Sequence, residues 1–156
     1  QRAKAFEMEV LGYDPFLSAD EIEKRGARPV SFDELLAQSD IISMHIPLTA
    51  DTRAILNAEA FSKMKDGVII VCAARGGTID EDALLAALES GKVKAAGLDV
   101  YATEPPGQSA LVMHPHVVCT PHVGGQTVEA QVRAANDIAD EVAAALKGDT
   151  LRWKVA

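Results

Sequence analysis

The run Val68-Ile69-Ile70-Val71-Cys72-Ala73 is apolar without interruption, with Asp66-Gly67 before it and Arg75-Gly76-Gly77 after it. A strand with one wet face alternates; an unbroken apolar strand belongs to a parallel sheet covered on both faces. Parallel strands need long crossover connections, and helical segments do alternate with strands along this chain. The pattern predicts an α/β fold, a doubly wound parallel sheet with helices on both faces.

Other segments follow the same rhythm. Residues 1–6 read as the tail of a helix and residues 8–13 as a strand closed by Asp14-Pro15. Ser18 precedes Glu21, and Ser31 precedes Glu34, at the spacing of a capping box, so each opens a short helix. The first stops near Gly26; the second runs through Leu35, Leu36 and Ala37, with a brief strand at Pro29-Val30 between them. Strands are predicted over 41–45, 68–73, 95–100 and 117–120, and helices over 57–65 and 80–90. The longest helix begins at Thr127 and runs to Lys147 before Gly148. Its residues Val128, Val132, Ala135, Ala139, Val142 and Leu146 fall on one face.

At 156 residues the chain fits one domain able to bury a core. Its formal net charge of −8 speaks against a nucleic-acid or anionic-membrane surface. No apolar run reaches the length of a membrane span, and residues 1–6 are too polar for a secretory leader. Cys72 and Cys119 lie in predicted strands and form neither a disulfide framework nor a zinc site, so buried reduced thiols and a cytoplasmic location are expected, with no metal. His45, His114 and His116 read as structural or surface residues.

Candidate chemistry sits just past strand ends, where open α/β sheets hold their ligands. Asp14 is placed to accept hydrogen bonds from adenosine ribose hydroxyls and to repel a 2′-phosphate, favouring NAD over NADP; Asp-Pro is also a common turn pair. Arg75 offers a planar fork that matches a carboxylate, or the carboxylate and carbonyl of a 2-oxo acid, and the following glycines let backbone approach a ligand. His122 can hold or release a proton near neutrality, and Glu104, stiffened by Pro105-Pro106, can orient it and favour its imidazolium form. Taken singly, each is equally a turn or loop residue.

Taken together, these segments are collinear with a known pattern. It includes His45-Ile46-Pro47-Leu48-Thr49, Met64-Lys65-Asp66-Gly67, Ala74-Arg75-Gly76-Gly77, Asp80-Glu81, Gly97-Leu98-Asp99-Val100, Glu104-Pro105 and Pro121-His122-Val123-Gly124-Gly125. The chain resembles the D-isomer-specific 2-hydroxyacid dehydrogenases, the family of phosphoglycerate dehydrogenase and the glyoxylate and hydroxypyruvate reductases. The resemblance implies a Rossmann-like NAD-binding domain over residues 1–156, incomplete at its N-terminus. The first strand, the glycine-rich turn and the substrate-facing domain of the family have no counterpart, and no G-x-G-x-x-G occurs.

By the same resemblance Arg75 binds a small 2-oxo or 2-hydroxy acid, His122 is the general acid/base and Glu104 its partner. Asp14, Ile46, Ala73, Ala74, Arg75, Asp99, His122, Val123, Gly124 and Gly125 would touch NAD, and a homodimer is expected. Glu104 argues against the formate-oxidising branch, which resembles this pattern with glutamine there. Two departures stand out: Glu7 replaces a usual glycine, and Cys72 a frequent asparagine. The motifs are also compatible with a non-catalytic NAD(H)-sensing, corepressor-like module, or with an inert truncated product.

Overall fold

A computed structural model describes residues 1–154. The chain divides into two compact units, Gln1–Pro121 and His122–Ala156.

The first unit alternates helix and strand: α1 (Arg2–Ala5), β1 (Leu11–Gly12), α2 (Ala19–Lys24), β2 (Arg28–Pro29), α3 (Phe32–Gln38), β3 (Ile41–Met44), α4 (Ala58–Lys63), β4 (Val68–Cys72), α5 (Glu81–Glu89), β5 (Val93–Leu98) and β6 (Val117–Cys119). Every pairing is parallel, with helices on both faces, as the unbroken run at 68–73 predicted. The strands form two sheets, β1-β2 and β3-β4-β5-β6. Among the described residues β1 pairs only with β2, and β3 only with β4.

Local chemistry explains the element ends. Ser18 and Ser31 each accept from the backbone N–H of the glutamate three residues on, and each glutamate side chain returns to the serine backbone N–H, closing both predicted capping boxes. α1 ends in a Schellman motif: Met8 N–H reaches the Ala3 carbonyl and Glu7 N–H the Lys4 carbonyl. That motif places Glu7 at φ +60°, a left-handed conformation normally given to glycine. This is the structural consequence of the Glu7 departure. β5 begins two residues earlier than expected, because Val93 pairs with Val68 across a register shift.

The core lies between the four-stranded sheet and helices α3, α4 and α5. Leu36, Phe61, Leu84 and Leu88 from the helices meet Ile42, Val68, Ile70, Val93 and Leu98 from the strands, all buried. On the other side of the strands Ile41 and Val71 stay 44% and 36% exposed.

The second unit holds α6 (Val128–Lys147), capped by the Thr127 hydroxyl on Ala130 N–H and stopped by Gly148 at φ +76°. Its predicted apolar face is present, but no residue of α6 is buried. The tail turns back on the helix: the Arg152 and Trp153 N–H groups both donate to the Glu141 carboxylate. They hold that carboxyl below its ordinary range against the opposing effect of desolvation. Trp153, whose partner the sequence left open, is thus tied by its backbone, with its ring 65% exposed.

Candidate active site

β3 and β4 are adjacent and parallel, so their C-terminal ends open side by side. Between them lies a cleft of about 310 Å³ lined by His45, Ile46, Pro47, Ala73, Ala74 and Arg75. Four residues singled out in the sequence, Ile46, Ala73, Ala74 and Arg75, therefore share one wall. Ile46 and the two alanines offer an apolar, uncrowded surface suited to a flat ring, and Arg75 supplies a fixed cation beside it. His45, read above as structural or surface, also lines this cleft, with its Nε2 2.8 Å from the Ser43 hydroxyl. A single histidine after an apolar strand carries no periodic signal that would have marked it.

The Arg75 turn is built from below. Buried Thr78 donates its hydroxyl to the Arg75 carbonyl at 2.8 Å. Cys72, also buried, places its sulfur 3.9 Å from that carbonyl and 3.8 Å from the Thr78 hydroxyl. The Cys72 departure thus puts a small thiol under the turn and leaves Arg75 itself exposed. The guanidinium donates to the Ala74 carbonyl at 2.7 Å. Gly76 is required for space: a Cβ there would run into the Tyr101 carbonyl.

That contact links Arg75 to the segment after β5. Asp99 is 6% exposed, and the Thr120 hydroxyl donates to its carboxylate. Tyr101 is buried, its hydroxyl lying 3.1 Å from both the Leu98 and the Thr120 carbonyls. Burial pushes its phenol well above the ordinary value, so the group remains a donor. Glu104 accepts from Tyr101 N–H at 3.1 Å, and Glu81 accepts from Ala102 N–H at 2.6 Å. Glu81 stood in the sequence only as part of the Asp80-Glu81 motif, without a role, and Tyr101 and Thr78 carried no signal of their own; the contacts of Glu81 with Ala102 and of the Tyr101 hydroxyl with Thr120 join residues about twenty apart and leave no local pattern.

Asp14 stands past the end of β1, exposed, its Oδ1 accepting from Phe16 N–H at 2.9 Å. This local turn fixes the carboxylate's direction. His122, Val123, Gly124 and Gly125 form a turn in the second unit, ahead of α6. Gln126 N–H closes on the Val123 carbonyl, and the Gln131 amide reaches the Gly125 carbonyl. His122 sits at φ +55°, a left-handed conformation uncommon outside glycine, and such outliers collect at functional sites. Among the described residues no group of His, Cys, Asp and Glu could hold a metal ion, and no helix is long and apolar enough to cross a membrane.

With this geometry in hand, the comparisons with known proteins are direct. Residues 1–124 match the model of the D-isomer specific 2-hydroxyacid dehydrogenase, NAD binding domain. The chain belongs to this family. It is 48% identical over 150 residues to D-3-phosphoglycerate dehydrogenase 2, chloroplastic, of Arabidopsis thaliana, a match covering 96% of this chain and 24% of that one. It is also 48% identical to D-3-phosphoglycerate dehydrogenase of Bacillus subtilis, covering 95% of this chain and 28% of the other.

Among solved structures, a glyoxylate reductase from Paecilomyes thermophila superposes with a TM-score of 0.88 at 45% identity, covering 96% of this chain and 46% of that one. D-lactate dehydrogenase from Aquifex aeolicus, solved with NAD and lactic acid, gives a TM-score of 0.85 at 35% identity, with 95% and 49% covered. The chain thus spans about a quarter of the length of these curated relatives and about half of these solved chains. Its Rossmann-like fold and NAD as the family's cofactor follow.

Proposed function

We propose that residues 1–156 are the greater part of the NAD-binding domain of a D-2-hydroxyacid dehydrogenase. The intact enzyme would move a hydride between NAD(H) and C2 of a small 2-oxo or 2-hydroxy acid. The observation that carries this reading is Arg75, exposed at the end of β4 in the same cleft wall as Ile46, Ala73 and Ala74. A ring resting on that wall lies next to a cation that can hold the substrate's carboxylate and carbonyl and stabilise charge on the oxygen.

When bound, NADH supplies the hydride. The remaining work falls to side chains of this chain. Arg75 orients the acid and fixes which carbon faces the cofactor. Ile46, Ala73, Ala74, Asp99 and the His122-Val123-Gly124-Gly125 turn would contact the cofactor, and Asp14 its adenosine ribose. His122 gives a proton to the carbonyl oxygen in reduction and takes one from the alcohol in oxidation. On this reading Glu104 is the partner of His122 in that proton transfer. Reduction therefore slows as the medium becomes alkaline and the imidazolium is lost, while oxidation gains. The enzyme is expected to act as a homodimer in the cytoplasm, and the 156-residue chain by itself to be inactive.

Arg75→Lys in the full-length enzyme tests the carrying observation. Lysine keeps the charge and loses the two-point fork. We expect kcat/KM for a 2-oxo acid to fall roughly 30- to 1000-fold, the loss of about 2–4 kcal/mol of transition-state stabilisation. NADH affinity should change little. Near-native turnover in the variant removes Arg75 as the substrate anchor.

A further inference from the structure

We infer that Glu81 is a positioning residue for the proton-transfer machinery: its carboxylate pins the loop that carries Glu104. This rests on the reading of Glu104 as the partner of His122.

After β5 the chain keeps three more residues buried, Asp99, Val100 and Tyr101, and residues 102–105 are then exposed and outside any helix or strand. A carboxylate on such a loop has no regular backbone bonding to hold it. Two consecutive amides do that work here. Tyr101 N–H is taken by Glu104 at 3.1 Å and Ala102 N–H by Glu81 at 2.6 Å. A bond of that length to an ionised acceptor is among the stronger kinds available to a loop.

Glu81 comes from outside the loop, as the first residue of α5. That helix is fixed by its own cap, Asp80 on Ala83 N–H, and by buried Leu84 and Leu88. The tether therefore runs from a capped, packed helix to an exposed, irregular segment that carries Glu104, the arrangement that holds a catalytic group to within a fraction of an ångström.

Adjacency of the two amides gives the mechanism. With Glu81 in place, Ala102 N–H is occupied, and Glu104 takes the neighbouring Tyr101 N–H. Without Glu81, the freed Ala102 N–H competes for the Glu104 carboxylate and draws it back onto its own backbone. Gly76 completes the frame by letting the Tyr101 carbonyl pack against the Arg75 turn. The substrate anchor and the carboxylate thus share one backbone contact, and Glu81 sets the position of the second relative to the first. A plain helix-stabilising role is the competing account, since an acidic residue in a first helical turn is favourable anyway.

Two conservative variants separate these accounts. Glu81→Gln keeps an acceptor oxygen at the same reach and gives up the charge. Glu81→Asp keeps the charge in the first turn and withdraws the oxygen by one methylene. pH–rate profiles for 2-oxo acid reduction are measured on the full-length enzyme for both, with Glu104→Gln beside them. Glu104→Gln should move the profile to lower pH, and Glu81→Asp should move it the same way with about a tenfold loss of kcat. Glu81→Gln should remain within about threefold of the parent. KM for NADH should not change.

The opposite order, with Asp tolerated and Gln impaired, overturns the positioning role. An unmoved profile in Glu104→Gln overturns the reading of Glu104 instead. In the 156-residue chain the Ala102 amide proton resonance reports the tether without any turnover. It should lie downfield and shift upfield in Glu81→Asp; if it does not respond, the tether itself is wrong.

Discussion

At the scale of single residues, Gly76, His122 and Glu7 hold space or backbone that an ordinary side chain does not favour. Gly76 has no room for a Cβ beside the Tyr101 carbonyl. His122 and Glu7 both sit at left-handed φ, +55° and +60°. The His122 outlier lies on the proposed proton carrier, where strain can be retained because geometry matters more than stability. The Glu7 outlier has no such company: it serves only the Schellman end of a four-residue helix, and its side chain is exposed. A non-glycine residue there loses about 1–2 kcal/mol to its Cβ, and glycine returns part of that gain through the greater entropy of its unfolded chain. Glu7→Gly is therefore expected to stabilise the protein by up to about 1 kcal/mol. Thermal melts of the two proteins check this, and an unchanged or lower Tm would mean that the turn pays no strain at Glu7.

At the scale of elements, the clearest signals were local. Ser18-x-x-Glu21 and Ser31-x-x-Glu34 predict helix starts because both halves of a capping box lie within four residues, and both boxes form. The strand ends carrying Arg75 and Asp14 were legible for the same reason: an apolar run and a turn suffice. What was not legible is set by distance. The early start of β5 depends on pairing with Val68 twenty-five residues before it. The Glu81–Ala102 and Gly76–Tyr101 contacts depend on how the start of α5 and the Arg75 turn meet the segment after β5. The length of β1 depends on which neighbours it has.

The capping boxes also carry a pH dependence. The Ser31 backbone N–H, then its hydroxyl, hold the Glu34 carboxyl below its ordinary value. A depressed carboxylate stabilises the fold above its unfolded pKa and loses that contribution as pH falls through the lower folded one. Ser31→Ala should then lower Tm by about 2–4 °C near neutrality. The gap should narrow as pH falls below the ordinary glutamate value and on through the lowered folded one, once the carboxylate is protonated in the parent as well. Melting curves across that range measure it; a gap independent of pH assigns the effect to the serine hydroxyl alone.

At the scale of the whole molecule, the two sheets and the charge act together on the cofactor. Rossmann-like sheets run 3-2-1-4-5-6, with the first strand at the centre and the dinucleotide's pyrophosphate at the glycine turn that follows it. Here β2-β1 and β3-β4-β5-β6 stand as separate parallel sheets, and one added parallel strand between β1 and β3 would give that order with a seventh strand at its end. These 156 residues contain no G-x-G-x-x-G to meet the phosphates through backbone donors, and their net charge of −8 adds no compensating attraction. On the proposed reading, Asp14, Ile46, Ala73 and Ala74 would contact only the sugar and ring portions of the cofactor. Two lost charge-assisted hydrogen bonds are worth about 3–6 kcal/mol. NADH should therefore bind the 156-residue chain at least about 100-fold more weakly than a version extended upstream by a strand and glycine-rich turn of the family. The extended protein should also melt at a higher temperature, because the added strand satisfies the edges of β1 and β3 at once. Fluorescence titration with NADH, run on both proteins with NADPH alongside, makes the comparison. Tight NADH binding by the unextended chain would show that the phosphates find other donors. Equal affinity for NADPH in the extended protein would remove Asp14 from the ribose site, because a carboxylate there repels the 2′-phosphate.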